Sequence, residues 1–192
     1  MINTQIINGL IDGDELSSLV KFVTSTDFPW HYLEDTTWEN SKKKSHIGTP
    51  AFAHLLLGSD GHRSEHLDKF TPIINGLKAR IDHEPKNIFR MRLGMLLNTR
   101  YSYPSMPYVY NAPHVDAEFP HMTCVYYLNS VDGPTTIFND TKPPADGERW
   151  KIAEQHEPFA NQAVLFNGEH YHASMCPKIE KYRLVLTINY TR

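Results

Sequence analysis

Hydrophobic residues recur at helical spacing in the first part of the chain and alternate in the second, with the change near residue 87. Leu16, Leu19, Val20 and Val23 fall three or four positions apart behind Asp12 and Asp14, either of which can cap a helix by accepting from the free N–H groups at its start. Pro29 ends that unit. A second helix is predicted with Thr71 as N-cap and Pro72 at the first helical position, where Ile73, Ile74, Leu77 and Ile81 share one face. Between them, residues 31–64 keep no period; Trp30, Trp38 and Phe52 are the expected anchors, and Gly48, Pro50, Gly58 and Gly61 are turn signals. From Asn87 onward, Phe89, Met91, Leu93, Met95 and Leu97 fall on one side of an extended segment, with Arg90, Arg92 and Gly94 on the other. Residues 122–129, 135–139, 163–167 and 183–190 read as four more strands. Helices followed by many short strands predict an α+β chain: a helical support over about 1–85, and a small barrel or jelly roll over about 87–192.

Composition narrows this further. A chain of 192 residues, 40% hydrophobic and without an internal repeat, suits one domain with its own core. The net charge of −3 offers no general attraction to nucleic acid or anionic membrane, and Lys42-Lys43-Lys44 reads as a solvated run. The segment 1–5 has no signal-peptide character and no apolar run reaches membrane-spanning length, so a soluble, cytoplasmic protein is expected. The two cysteines, Cys124 and Cys176, have no zinc-type spacing and read as free thiols, with Cys124 a small core residue.

The chemistry concentrates in His114-Val115-Asp116, just ahead of a predicted strand. In extended backbone, residues i and i+2 point to one face, so an imidazole and a carboxylate can reach one metal ion together. His66-Leu67-Asp68 has the same spacing, but it precedes a helical pattern, in which i and i+2 diverge. His172 is the best candidate for a third ligand, with His170 beside it on the same face if that segment is extended. Two imidazoles and one carboxylate form the facial triad of non-haem Fe(II) oxygenases, which leaves coordination positions open. Arg183 opens a strand with Val185, Thr187 and Asn189 on its face; it either points inward, where it needs an anion, or outward at a strand end. Tyr127 shares a face with Thr123, Val125 and Asn129 and is either a hydroxyl donor to a site or core packing. Tyr101, Tyr103, Tyr108 and Tyr110, among prolines, suit a loop at the mouth of a site or a cover over the core. Residues 139–158 suit a lid or a decorated β-connection.

Taken in order, His114-Val115-Asp116, Met122-Thr123-Cys124-Val125-Tyr126-Tyr127-Leu128-Asn129, Gly133-Pro134-Thr135-Thr136-Ile137-Phe138, Val164-Leu165-Phe166, His172 with Pro177, and Tyr182-Arg183-Leu184-Val185-Leu186 form a recognisable series. They resemble the 2-oxoglutarate- and Fe(II)-dependent dioxygenase superfamily, and look most like its prolyl-hydroxylase-type branch with its small bacteriophage and bacterial members. The resemblance implies a double-stranded β-helix, or jelly roll, in the C-terminal half, with the N-terminal helices packed on it. It implies Fe(II) on His114, Asp116 and His172, with His172 chosen over His170 on the pattern His-Ala-x-x-x-Pro. It implies 2-oxoglutarate held by Arg183 and Tyr127, and ascorbate as an accessory reductant. The implied reaction is hydroxylation of a C–H bond in a prolyl or related peptide, amino-acid or small-molecule substrate, with succinate and CO2 as co-products, in a bacterial or phage-infected cell.

Two departures stand out. Asp132-Gly133-Pro134 occupies a turn where the family usually has Gly-Gly, and the interval from His172 to Arg183 is slightly long, which leaves Lys181 as a second candidate cation. Other uses of such a barrel are a cupin-like isomerase or non-catalytic binding module, and a zinc hydrolase with a metal-bound water. Neither would give Arg183 and Tyr127 a carboxylate to serve.

Overall fold

The fold was analysed in a computed structural model of the chain, which describes residues 2–36, 49–98 and 110–192. Among the described residues, ten strands and two α-helices follow in the order β1 (Gln5–Asn8), α1 (Gly13–Val23), β2 (His31–Leu33), β3 (Ala51–Leu57), α2 (Thr71–Lys78), β4 (Asn87–Leu97), β5 (Met122–Tyr127), β6 (Thr135–Phe138), β7 (Ile152–His156), β8 (Gln162–Asn167), β9 (His172–Ser174) and β10 (Tyr182–Thr191). They form two antiparallel sheets: a large one ordered β1-β8-β5-β10-β4-β3-β2 and a small one ordered β7-β6-β9. The arrangement is consistent with a jelly-roll-like core.

The large sheet is covered on both faces. On one, Met91, Leu93, Cys124, Tyr126, Leu165, Leu186 and Ile188 pack in a single cluster with Leu19 and Val23 of α1 and Ile73 and Leu77 of α2. On the other, Val125, Tyr127, Val164, Phe166 and Val185 pack around Ile137 of the small sheet. Burial on both sides explains why β5 is buried at all six positions instead of alternating.

Both predicted helices are present, with different starts. Asp12, not Asp14, is the cap of α1: its carboxylate accepts from Asp14 N–H at 2.8 Å, and Glu15 accepts from Asp12 N–H in return, a capping box. The expected cap of α2, Thr71, lies inside the helix, because a 3-10 turn over Leu67–Phe70 runs straight into it and leaves Phe70 at the cap position without a side-chain bond. Ile81 lies beyond the helix but still packs on the core. At Gly76 a Cβ would run into the backbone of Leu10, so glycine lets α2 approach the segment after β1 closely.

The support over 1–85 is not purely helical, because β1, β2 and β3 join the large sheet from this region. β1 and β2 are edge strands of four and three residues, too short to display a period, and β3 is a near-continuous apolar run. The alternation of β4 also slips at its end, where Leu96 is buried and Leu97 is exposed. The expected strand 122–129 ends at Tyr127, and β7 and β9 were not anticipated. Residues 139–158 hold β7, paired with β6, and a bond from Asn139 N–H to Lys151 O at 2.8 Å. The stretch with Tyr101, Tyr103 and Tyr108, and Trp38, lie outside the described residues.

Candidate metal centre and anion pocket

His114 precedes β5 in extended backbone and exchanges both backbone hydrogen bonds with His172, at 3.0 and 2.9 Å, which ties it to the first residue of β9. Asp116 follows two residues later. His172 Nε2 lies 3.5 Å from Asp116 Oδ2, and His114 Nε2 lies 3.9 Å from Asp116 Oδ1. The three side chains are the one group of possible metal donors among the described residues with all ligand atoms within 4.8 Å of one another. Donors bound facially to one ion at about 2.1 Å sit about 3 Å apart, so small rotations would bring these into place. His114 Nδ1 donates to Ala112 O at 3.1 Å and His172 Nδ1 to His170 O at 3.3 Å, which leaves both Nε2 lone pairs facing Asp116. Burial pushes the His114 pKa down to about 4, helped by His172 and opposed by Asp116, so this imidazole is neutral and able to bind a metal at neutral pH.

Asp116 is itself oriented. Arg90 Nη1 donates to its Oδ1 at 2.7 Å and Asn189 Nδ2 to its Oδ2 at 2.9 Å, while Arg90 also reaches Asn189 Oδ1 and Asn189 reaches Thr123 Oγ1. Arg90 and Asn189 are direct cross-strand partners on β4 and β10, so their side chains share a face. Burial resists ionisation of Asp116, but Arg90 and the two histidines outweigh it and hold the carboxyl well below the usual range.

A second cluster lies farther along β10. Arg183 is 2% exposed and donates through Nη2 to Thr135 Oγ1 at 2.7 Å; Tyr127 donates to the same oxygen at 2.8 Å, with the guanidinium 5.5 Å from its ring centre. Arg183 Nε is buried and has no acceptor. Burial lowers the Arg183 pKa, Tyr127 and more distant Glu157 oppose that shift, and no carboxylate among the described residues is hydrogen-bonded to it. Lys181, the second candidate cation, is exposed. One open cavity joins the His114–Asp116–His172 end to the Arg183–Thr135 end.

Sequence pattern alone assigns no role to Arg90, Asn189, Thr123 or Thr135, although each lies on a face or in a motif already singled out. His170 and His121 lie outside the donor group. His121 is buried, with Nδ1 donating to Phe119 O at 2.7 Å. Tyr110 packs edge-on against Phe138 with ring centres 5.2 Å apart, and Cys124 is fully buried. Asp132 has a part that the sequence did not suggest: its carboxylate accepts from the N–H groups of Lys178, Ile179 and Glu180, fixing the turn between β9 and β10 that carries the long interval from His172 to Arg183. Gly133 beside it has φ +99°, and a Cβ there would press on the backbone of Met175 and Cys176.

No protein-family model and no curated protein sequence matches the chain. Solved structures do. A 2OG-Fe(II) oxygenase family oxidoreductase from Burkholderia pseudomallei superposes with a TM-score of 0.63 over 98% of this chain and 85% of that one, at 12% identity. This is the fold of the 2OG-Fe(II) oxygenases. A prolyl-4-hydroxylase from Pseudomonas putida gives a TM-score of 0.57 at 14% identity, over 100% of this chain and 94% of that one. The alpha-ketoglutarate-dependent epimerase SnoN of nogalamycin biosynthesis gives 0.61 at 12% identity, over 99% and 78%. A hydroxylase and an epimerase sharing this fold mean that it does not select the reaction.

Proposed function

We propose that the chain is a 2-oxoglutarate-dependent non-haem Fe(II) oxygenase, working as one domain with a double-stranded β-helix core, that hydroxylates a C–H bond of a prolyl or related peptide, amino-acid or small-molecule substrate. The observation that carries this reading is a buried arginine with no carboxylate hydrogen-bonded to it among the described residues, in the same cavity as a His-Asp-His donor set. A buried guanidinium of that kind is costly unless an anion joins it. A cupin-like module or a zinc hydrolase would use the triad and leave Arg183 unserved; 2-oxoglutarate needs both ends, because its 2-oxo acid binds a metal and its far carboxylate needs a cation.

His114, Asp116 and His172 would hold the iron, with Arg90 and Asn189 fixing the carboxylate so that it meets the metal from one side. Arg183 Nε and Nη2 would take the far carboxylate of 2-oxoglutarate, and Thr135, which already accepts from Arg183 and Tyr127, retains its own proton to donate there. Bound together, Fe(II) and 2-oxoglutarate supply the O2-dependent decarboxylation that yields succinate and CO2 and delivers an oxygen atom to the substrate. Val125 and Val185 form an apolar wall between the two ends that would limit water around the co-substrate.

The test is succinate formation from 2-oxoglutarate with Fe(II), O2 and ascorbate, screened against peptides and metabolites. Iron- and O2-dependent succinate supports the reading. Tight zinc binding with hydrolysis and no consumption of 2-oxoglutarate would replace it.

A further inference from the structure

We infer that the substrate is an acid, with a carboxylate that pairs with Arg92 in an arm of the cavity that 2-oxoglutarate leaves free. The inference rests on the oxygenase reading above and adds the substrate class to it.

The inner face of the large sheet is a set of rungs read directly from the register. Arg90 pairs with Asn189 at the triad end, Arg92 with Thr187 on the next rung, Gly94 with Val185, and Leu96 with Arg183 at the far end. The groups expected to hold 2-oxoglutarate come from β5, β6 and β10: Tyr127, Thr135 and Arg183. β4 lies on the opposite side of β10 from β5, so Arg92 is set to one side of the line from triad to Arg183. Beyond it, β3 and β4 line the cavity with Ala51 and Gly94, and a Cβ on Gly94 would touch only Val185. Phe52, Met95 and Leu96 complete this part of the wall, which opens to solvent and lies beside, not between, the triad and Arg183.

The charges show what that molecule carries. The described wall of this cavity contains Arg90, Arg92 and Arg183 against one carboxylate, Asp116. Asp116 is engaged by Arg90, and the oxygenase reading gives Arg183 to 2-oxoglutarate. Fe(II) and the three guanidiniums outnumber Asp116 and the two carboxylates of 2-oxoglutarate in charge, and of the three guanidiniums Arg92 is the one with no anion beside it. It has no hydrogen-bonded or salt-bridged acceptor among the described residues, and burial, together with repulsion from Arg90, pushes its pKa down to about 10 against the pull of Asp116. A guanidinium in that position matches a carboxylate bidentately, on the rung next to the metal.

The experiment uses the anaerobic Fe(II)·2-oxoglutarate protein. The probes are free amino acids and proline-containing peptides offered as matched pairs: Glu against Gln side chains, and free against amidated C-termini. Binding is read from the shift of the metal-to-ligand absorption and turnover from succinate. The wild type should prefer one acid over its amide by about ten-fold or more, and the responding pair tells a side-chain from a terminal carboxylate. Arg92→Gln should lose that preference and Arg92→Lys keep only part of it, the charge without the fork, while 2-oxoglutarate affinity stays within about two-fold in both, which also reports an intact site. Equal response to acids and amides, or to neither, overturns the inference, as does a preference that survives Arg92→Gln. A steep loss of 2-oxoglutarate affinity in Arg92→Gln overturns it too, since Arg92 would then serve the co-substrate. A wild type that forms no Fe(II)·2-oxoglutarate absorption at all sinks the oxygenase reading itself, a separate result.

Discussion

Arg90 donates to Asp116 across 2.7 Å, and the carboxylate it holds is the one that His114 and His172 approach from the other side. In the metal-free protein Arg90 is the cation that balances a nearly buried carboxylate. Replacing it with methionine keeps a flexible unbranched stem and removes the charge. Arg90→Met should therefore cost the metal-free protein about 3 kcal/mol, the usual scale for breaking a buried pair. Adding Fe(II), or Co(II) as a stable stand-in, should restore more stability to the variant than to the wild type. Denaturant unfolding with and without metal checks this; equal metal stabilisation in both proteins would show that Arg90 does not balance Asp116.

His114→Ala, Asp116→Ala and His172→Ala are each expected to abolish stoichiometric Fe(II) binding in equilibrium dialysis, because two donors hold a divalent ion poorly. His170→Ala should retain it, since His170 lies outside the donor group. Loss in His170→Ala with retention in His172→Ala would exchange their roles.

A pH effect on stability should come from a group outside the cavity. His54 is buried, donates from Nδ1 to Pro29 O and accepts at Nε2 from Ser64, both at 2.8 Å, an arrangement that needs the neutral ring. Burial lowers its pKa, and the neighbouring His66, His31 and His62 add to this against the Pro29 bond. With the folded pKa below the unfolded value of 6.5, the unfolded chain binds more protons as pH falls, so stability drops below about pH 6.5 and is complete above it. Urea unfolding at pH 7.5 and 5.5 should show a smaller pH-dependent loss in His54→Gln than in the wild type. An identical loss would place the effect elsewhere.

How far the sequence carried the structure depended on how local each signal was. The cap of α1, the core strands β5, β8 and β10, and the His114–Asp116 spacing are short-range patterns, legible because a few adjacent residues set them. β9 was not legible: its three residues are extended because they pair with β6 and because His172 bonds to His114, contacts set by the fold as a whole. Arg90 and Asn189 were seen as polar positions of alternating strands, but their meeting at Asp116 depends on the β4–β10 register, which alternation does not fix. Asp132 looked like part of a turn, and only the folded chain places it under the N–H groups of Lys178, Ile179 and Glu180.

The central claim is that Arg183 and the triad are two ends of one 2-oxoglutarate site. The most direct measurement is anaerobic titration of the Fe(II) protein with 2-oxoglutarate, followed by its metal-to-ligand absorption, in the wild type, Arg183→Ala, Tyr127→Phe and Lys181→Ala. Arg183→Ala should keep its iron and lose about 30-fold to several-thousand-fold in 2-oxoglutarate affinity, the range for losing one partner of a buried charge pair. Tyr127→Phe should lose at most about ten-fold, having removed the hydroxyl that orients Thr135, the neutral donor beside that carboxylate, and Lys181→Ala should match the wild type. Equal 2-oxoglutarate affinity in Arg183→Ala and the wild type would contradict the account.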